Sequence, residues 1–243
     1  MRVVRAEGVD GARSARGVVV VIDVLRAFTV TAFALAGGAR EVIYVADIEE
    51  ALRLRASIPN SILSAEVDGL PVAGVPISNS PTMISAADLR GRTLVQRSSA
   101  GVQALAAVPA TADALYAASL VVARATVGDV LLQEPELVTL VPSRPDHLED
   151  VACARYLEAL LGSTTANLED LLDGFRSSER YLSLARGEVP GFLPGDLDLA
   201  LVADTFDFSL PVSRGADGLL RVARQRPDAE SADEPWRPAT RPR

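Results

Sequence analysis

Apolar and polar positions form alternating blocks along the first two thirds of the chain. The block Gly17–Asp23 (GVVVVID) is a continuous run rich in valine, which is typical of a strand buried on both faces. The next block, Ala27–Ala36, has a helical pattern and ends at Gly37-Gly38, as helices commonly do. Glu41–Ala46 (EVIYVA) then predicts the second strand.

The same alternation continues further along the chain. Asp47 with Glu50 three residues later is the capping-box pattern that opens a helix, here EEALRLRA. The later blocks predict strands at Ser61–Ala65, Thr93–Gln96, Ala114–Ser119 and Leu137–Val141, helices near Pro81 and at Gly101–Ala107, Leu120–Leu132, His147–Leu161 and Leu168–Leu184, and a short helix with two strands between Asp196 and Val222. This order predicts an α/β fold: a layered α/β/α arrangement with a largely parallel or mixed sheet, and two α/β subdomains as the alternative.

The domain boundaries follow from composition. We predict one α/β domain over residues 1–224, with a subdomain break near residues 108–113. Residues 225–243 (QRPDAESADEPWRPATRPR) are charged, rich in proline and almost free of aliphatic side chains. Such a segment buries too little apolar area to offset its chain entropy, so we predict a disordered tail.

Charge and composition exclude several classes of function. The net charge of −8 argues against nucleic-acid binding, which normally requires a basic face. The chain has no lysine, so a P-loop lysine and a Schiff-base lysine are both excluded. It shows neither a signal peptide nor an apolar run of about 18 residues, the length expected of a membrane span. We therefore expect a cytoplasmic protein that does not bind membranes.

Polar groups follow several predicted strands, and ligand sites in parallel sheets form at the carboxyl ends of strands. Asp23 ends the first strand and Arg26 lies in the following turn. Asp23 could bind a metal or attack phosphorus, and Arg26 could clamp a phosphoryl oxygen. The alternative is structural: Asp23 caps the helix and Arg26 pairs with it.

Two further junctions suit an anion. Asn79 and Ser80 precede Pro81, which would leave helix N–H groups open to a ligand. Ser98 and Ser99 similarly precede a predicted helix, and Gly101 starts it. The alternatives are an ordinary helix cap and an ordinary turn.

Three carboxylates extend the candidate site. Glu149 and Asp150 lie in the first turn of a predicted helix, where they would complement the helix dipole or coordinate Mg²⁺. Glu66 comes just after the third predicted strand.

Taken in order, these segments resemble the 2-phosphosulfolactate phosphatase family over about residues 1–222. The strongest match is VVVIDVLRAFTVTAFALAGGAREVIYVADIEEA, residues 19–51, which is similar to the family's strand, D-V-L-R-A helix and second strand. The family's G-N-S-P motif resembles residues 77–81 (ISNSP), and its T-T-N-G-T segment has its counterpart at residues 91–105 (GRTLVQRSSAGVQAL). Its S-L-E-D helix resembles residues 147–161 (HLEDVACARYLEALL). The last part of the family pattern resembles residues 196–212 (DLDLALVADTFDFSLPV).

The resemblance implies Mg²⁺-dependent hydrolysis of a small phosphorylated acid. By position it carries over Asp23 and Arg26 as catalytic residues, and it carries over Asn79 and Ser80 as substrate ligands. It also implies four metal ligands: Asp23, Glu66, Glu149 and Asp150. The expected partner is a small anionic phosphorylated substrate, and a homodimer is left open.

Some positions depart from the family pattern. Val67 replaces a family arginine, and Ala100 with Val102 replaces two polar groups. We therefore expect the protein to hydrolyse 2-phosphosulfolactate poorly or to prefer a different phosphorylated acid. A homologue that binds an anionic metabolite without hydrolysing it is the main alternative. A nucleotide-binding or oxidoreductase domain of the doubly wound type is less consistent with the sequence, because no G-x-G-x-x-G follows a strand.

Overall fold

The computed structural model describes residues 1–223, and the predicted tail at 225–243 lies outside them. The described strands are β1 (Arg2–Arg5), β2 (Val18–Ile22), β3 (Glu41–Tyr44), β4 (Ser61–Val67), β5 (Leu70–Pro71), β6 (Thr93–Arg97), β7 (Ala114–Ala118), β8 (Leu137–Pro142), β9 (Leu210–Pro211), β10 (Ser213–Arg214) and β11 (Leu220–Val222). The described α-helices are α1 (Gly8–Ser14), α2 (Ala27–Ala36), α3 (Ile48–Ser57), α4 (Pro81–Ser85), α5 (Gly101–Ala107), α6 (Ala123–Leu132), α7 (Leu148–Leu161), α8 (Leu168–Arg176), α9 (Glu179–Ala185) and α10 (Pro194–Ala200). A 3₁₀ turn at Leu120–Val122 leads into α6.

The strands form two sheets. In the first, the order is β1-β8-β2-β7-β9, and only β9 in this sheet pairs antiparallel. Strand β2 lies between β8 and β7, with Ile22 opposite Pro142 and Ala118. All five of its residues are buried, which explains why its sequence is apolar at every position.

In the second sheet, the order is β10-β11-β3-β6-β4-β5. The inner strands β3, β6 and β4 are parallel, and β5, β10 and β11 add antiparallel edges. The layered α/β fold with a parallel or mixed sheet is therefore confirmed.

Helix α2 lies between the two sheets. Its residues Ala27–Leu35 are all buried, and one apolar core joins Phe28 of α2 to Val21 of the first sheet and Val42 of the second. The ring of Phe28 also meets the edge of Tyr44, with 5.9 Å between the ring centroids. Because sheets cover it on both sides, α2 needs no polar face.

Helices cover the outer faces. Side chains of α6 and α7 pack on the first sheet, α8 packs against α7, and side chains of α3 pack on the second sheet. The segment 108–113 connects α5 with β7, and the subdomain break near it stays a prediction. Strand β1 and helix α1 were not predicted. Among the described residues, no helix is long and apolar enough to cross a membrane.

Candidate active site

The turn Asp23–Ala27, between β2 and α2, brings residues from both sheets together. The carboxylate of Asp150, which follows β8, accepts a hydrogen bond from the Val24 N–H at 2.8 Å. From the second sheet, the Gln96 amide donates to the Ala27 carbonyl at 2.7 Å, and the Gly101 N–H donates to Asp23 at 2.9 Å. The carboxyl ends of parallel strands from two sheets thus meet at one place.

Asp23 is held by backbone donors. Its two oxygens accept hydrogen bonds from the N–H groups of Ala27 (3.0 Å) and Gly101 (2.9 Å). Burial raises its pKa to about 6; those two hydrogen bonds oppose the rise, and the charges of Glu66 and Glu149 add to it. The Asp23 carboxylate therefore binds the first N–H group of α2, as the structural alternative for this residue proposed, and it lies among other acids.

The acids of α7 lie at the same turn. Asp150 is fully buried, and besides Val24 it binds the Ser143 hydroxyl at 2.8 Å. Burial raises its pKa well above the usual range, and the negative charges of Asp23 and Glu149 raise it further. Glu149 is equally buried; one of its oxygens accepts a hydrogen bond from Arg180 of α9, and the other has no partner.

His147 completes this group. Ligand atoms of His147, Glu149 and Asp150 all lie within 4.8 Å of one another, and no other such group of three occurs among residues 1–223. The Nδ1 atom of His147 is 3.8 Å from Glu149 Oε1 and 3.9 Å from Asp150 Oδ2. Burial, assisted by the charge of Arg180, lowers the pKa of His147 to about 3, so its imidazole is neutral at pH 7.

Glu66 organises a loop at the rim of the site. Its carboxylate accepts hydrogen bonds from the N–H and hydroxyl of Ser99 and from the Gly69 N–H. Arg97 binds the Glu66 carbonyl and donates to the Ser99 hydroxyl at 2.7 Å. Glu66 is therefore tied to the predicted anion-binding segment, and it lies outside the group of three ligands.

The structural alternative for Arg26, a pairing with Asp23, is wrong. The buried Arg26 guanidinium forms an ion pair with Asp196 of α10 at 3.2 Å, and it lies over the ring of Phe192. The Asp23 carboxylate instead binds the backbone N–H groups of Ala27 and Gly101. The Asp23 charge acts on Arg26 at longer range.

Asp196 also binds the side chain of Ser80. The Ser80 hydroxyl donates to Asp196 at 2.6 Å, and the Thr82 N–H donates to the same oxygen at 3.1 Å. A carboxylate of the chain itself therefore lies at the N-terminus of α4, where we predicted a substrate anion. The Ser80 hydroxyl additionally caps α4 by accepting from the Met83 N–H.

The other predicted substrate ligands are fixed by internal bonds. Asn79, in the left-handed region with φ of 48°, accepts a hydrogen bond from Gln96 at 2.8 Å. Ser98 accepts from the Val102 N–H at 3.1 Å and so caps the start of α5. The Gln96 amide group donates to both Asn79 and the Ala27 carbonyl, so it connects Asn79 to the turn that starts α2. Ser98 and Ser99 lie at the junction of β6 and α5.

Sequence reasoning missed three charged or titratable residues of this site. His147 had a local signal, because it precedes two adjacent acids by two and three positions. Arg180 and Asp196 had none, since they reach the site from helices far along the chain. Of the four predicted metal ligands, Glu149 and Asp150 come together, and they do so with His147.

The donor set suits a divalent cation. Asp23, Glu149 and Asp150 are buried acids, and among the described residues Arg180 is the only cation that donates a hydrogen bond to any of them. Buried acids of like charge either hold protons or bind a cation. The unpartnered oxygen of Glu149 is available as a ligand.

Comparisons with known proteins agree on one family. A family model described as 2-phosphosulpholactate phosphatase matches residues 4–184. The probable 2-phosphosulfolactate phosphatase of Bacillus subtilis is 32% identical over 204 residues, which cover 82% of this chain and 88% of that protein. The protein of the same name from Carboxydothermus hydrogenoformans is 40% identical over 146 residues, which cover 59% of this chain and 60% of that protein. The one from Deinococcus radiodurans is 34% identical over 150 residues, which cover 59% of this chain and 62% of that protein.

Proposed function

The chain belongs to the 2-phosphosulfolactate phosphatase family, and we propose that it hydrolyses the phosphate monoester of a small anionic acid in a reaction that requires a divalent cation, Mg²⁺ in the first instance. The observation that carries this proposal is the group of buried acids, Asp23, Glu149 and Asp150, around the turn that starts α2. Such a group is costly to ionise without a counter-ion.

Glu149 and Asp150 would hold the cation. Asp150 is oriented by the Val24 N–H and the Ser143 hydroxyl, and the free oxygen of Glu149 adds a second carboxylate ligand. When bound, the cation would neutralise charge on the phosphoryl oxygens and favour ionisation of water.

Asp23 is assigned the role of general base. Two backbone N–H groups fix its carboxylate, and its pKa of about 6 leaves it mostly ionised at pH 7 but able to accept a proton. It takes one proton from water, the hydroxide oxygen bonds to phosphorus, and the ester P–O bond breaks. The leaving alkoxide is protonated by solvent, which yields inorganic phosphate and the free hydroxy acid.

Arg97 and Ser99 are assigned to the substrate phosphate. Both are partly exposed at the rim, and Arg97 already binds the Ser99 hydroxyl. The Nε of Arg97 binds the Ala46 carbonyl and its Nη1 binds the Glu66 carbonyl and the Ser99 hydroxyl, so Nη2 is the nitrogen assigned to a phosphoryl oxygen. Arg26 lies behind the site, where its buried guanidinium pairs with Asp196.

A phosphate-release screen tests the proposal. The full chain is stripped of metal and assayed on a panel of small phosphorylated acids, including 2-phosphosulfolactate, with and without Mg²⁺. We expect release that depends on the cation and disappears with EDTA, with a preferred substrate other than 2-phosphosulfolactate. Full turnover in metal-free buffer would contradict the cation site, and no release from any monoester with any divalent cation would favour a binding protein.

A further inference from the structure

The group formed by His147, Glu149 and Asp150 differs from an ordinary magnesium site in one donor. Two of its ligands are carboxylates, and the third is an imidazole nitrogen 3.8 and 3.9 Å from their oxygens. We infer that these three residues form a mixed nitrogen and oxygen site that binds a first-row transition metal, such as Zn²⁺, Co²⁺ or Mn²⁺, more tightly than Mg²⁺. Its catalytic use rests on the proposed function, but its binding does not.

Unpartnered buried atoms support this site independently of its acidic composition. Four buried side-chain nitrogen or oxygen atoms lack a hydrogen-bond partner among the described residues, and two of them belong to this group: Nδ1 of His147 and Oε2 of Glu149. Glu149 is fully buried. Leaving such an atom without a partner is costly, so one unpartnered atom on each of two neighbouring ligand residues indicates a ligand that satisfies both.

The third ligand is already oriented for coordination. Both oxygens of Asp150 accept hydrogen bonds, from the Val24 N–H and from the Ser143 hydroxyl, each at 2.8 Å. Outer-shell donors of this kind fix the direction of a ligating carboxylate and commonly accompany metal sites. They leave each oxygen a second lone pair for a cation.

The nitrogen donor decides which cation is preferred. Mg²⁺ binds oxygen ligands and gives up its water reluctantly. Neutral imidazole suits the first-row transition metals, whose affinity for such sites rises from Mn²⁺ through Co²⁺ towards the end of the series. Because Nδ1 of His147 has no hydrogen-bond partner and lies within 4 Å of both carboxylates, the site gains most from a metal that accepts nitrogen.

The composition of the chain offers a direct test, because His147 is its only histidine. In untagged protein labelled with ¹⁵N-histidine, a two-dimensional ¹H–¹⁵N spectrum reports one imidazole. We expect saturating Zn²⁺ to move the Nδ1 resonance and Mg²⁺ at the same concentration to leave it in place. An Nδ1 resonance that does not move with Zn²⁺ would overturn the inference.

Variants show whether the acids share the ion. Glu149→Gln should weaken Zn²⁺ binding by about tenfold or more, because even outer-shell changes at metal sites cost 10–100-fold. Glu158→Gln is the matched control on the same helix; its side chain is 41% exposed, and Zn²⁺ affinity should not change. Equal Zn²⁺ affinity in Glu149→Gln and wild type would show that Glu149 is not a ligand and overturn the three-ligand site.

The two proposals fail separately. A Zn²⁺-dependent Nδ1 shift in a protein that releases no phosphate supports the site and rejects the phosphatase. Mg²⁺-dependent phosphate release with an unmoved Nδ1 resonance supports the phosphatase and rejects the site.

Discussion

At the scale of single residues, the position of Asp23 depends on what Gly101 lacks. A β-carbon added to Gly101 would lie 2.5 Å from Asp23 Oδ2 and 2.8 Å from its Cβ. The absence of a side chain therefore lets the first N–H of α5 reach the carboxylate. This contact connects α5, which follows strand β6 of the second sheet, to Asp23, which follows strand β2 of the first sheet.

Gly101→Ala should displace the Asp23 carboxylate and break its hydrogen bond to α5. We expect kcat to fall by about 10²-fold, the cost of misplacing a reacting group by about 1 Å. Overpacking should also lower the free energy of unfolding by about 1–3 kcal/mol. Kinetics on the best substrate and urea denaturation measure the two effects.

Gly128→Ala is the control, because an added β-carbon there meets nothing within 4 Å. It lies inside α6, so alanine should raise the free energy of unfolding by about 0.5–1 kcal/mol and leave kcat unchanged. A wild-type kcat in Gly101→Ala would contradict the assigned contact.

At the scale of secondary-structure elements, the first turn of α10 connects three parts of the site. Its residue Asp196 binds its own helix start through the Leu193 N–H at 3.1 Å. The same carboxylate holds the start of α4 through Ser80 and the turn before α2 through Arg26. Helix α10, near the end of the described residues, thus holds the Arg26 guanidinium in place behind Asp23.

Asp196→Asn should destabilise the protein strongly. Removing one partner of a buried ion pair leaves the Arg26 charge uncompensated, which costs about 3–5 kcal/mol. Asp198→Asn, an exposed position on the same helix, should change the free energy of unfolding by less than about 0.5 kcal/mol. Urea denaturation of both variants measures the difference, and equal midpoints would show that Asp196 carries no such pairing.

The elements that the sequence predicted well are those whose first or last residues are marked by neighbouring residues in the sequence. The bounds of α2 and α5 are as predicted; the glycines after Ala36 and the glycine that starts α5 mark two of those limits in the sequence. Strand β1 has only four residues and pairs with β8, with Arg2 opposite Leu137. Its stability comes from a partner far along the chain, so its own sequence gave no signal.

At the scale of the whole molecule, the site exists because two sheets share α2. Asp23 and Asp150 come from the first sheet, and Glu66 and Ser99 come from the second. The sequence predicted that polar groups at strand ends would converge, since that holds within any parallel sheet. It could not predict the ion pair of Arg26 with Asp196, because the pairing depends on how α10 packs against the turn.

The rate of phosphate release by Asp23→Asn tests the central claim most directly. Asparagine keeps the size of the side chain but cannot accept the proton from water, so we expect turnover to fall by about 10²–10⁴-fold at saturating divalent cation. Circular dichroism should show that the variant is folded, and Asp198→Asn should keep the wild-type rate. Turnover of folded Asp23→Asn at the wild-type rate would contradict the role of Asp23 as the base of a cation-dependent phosphatase.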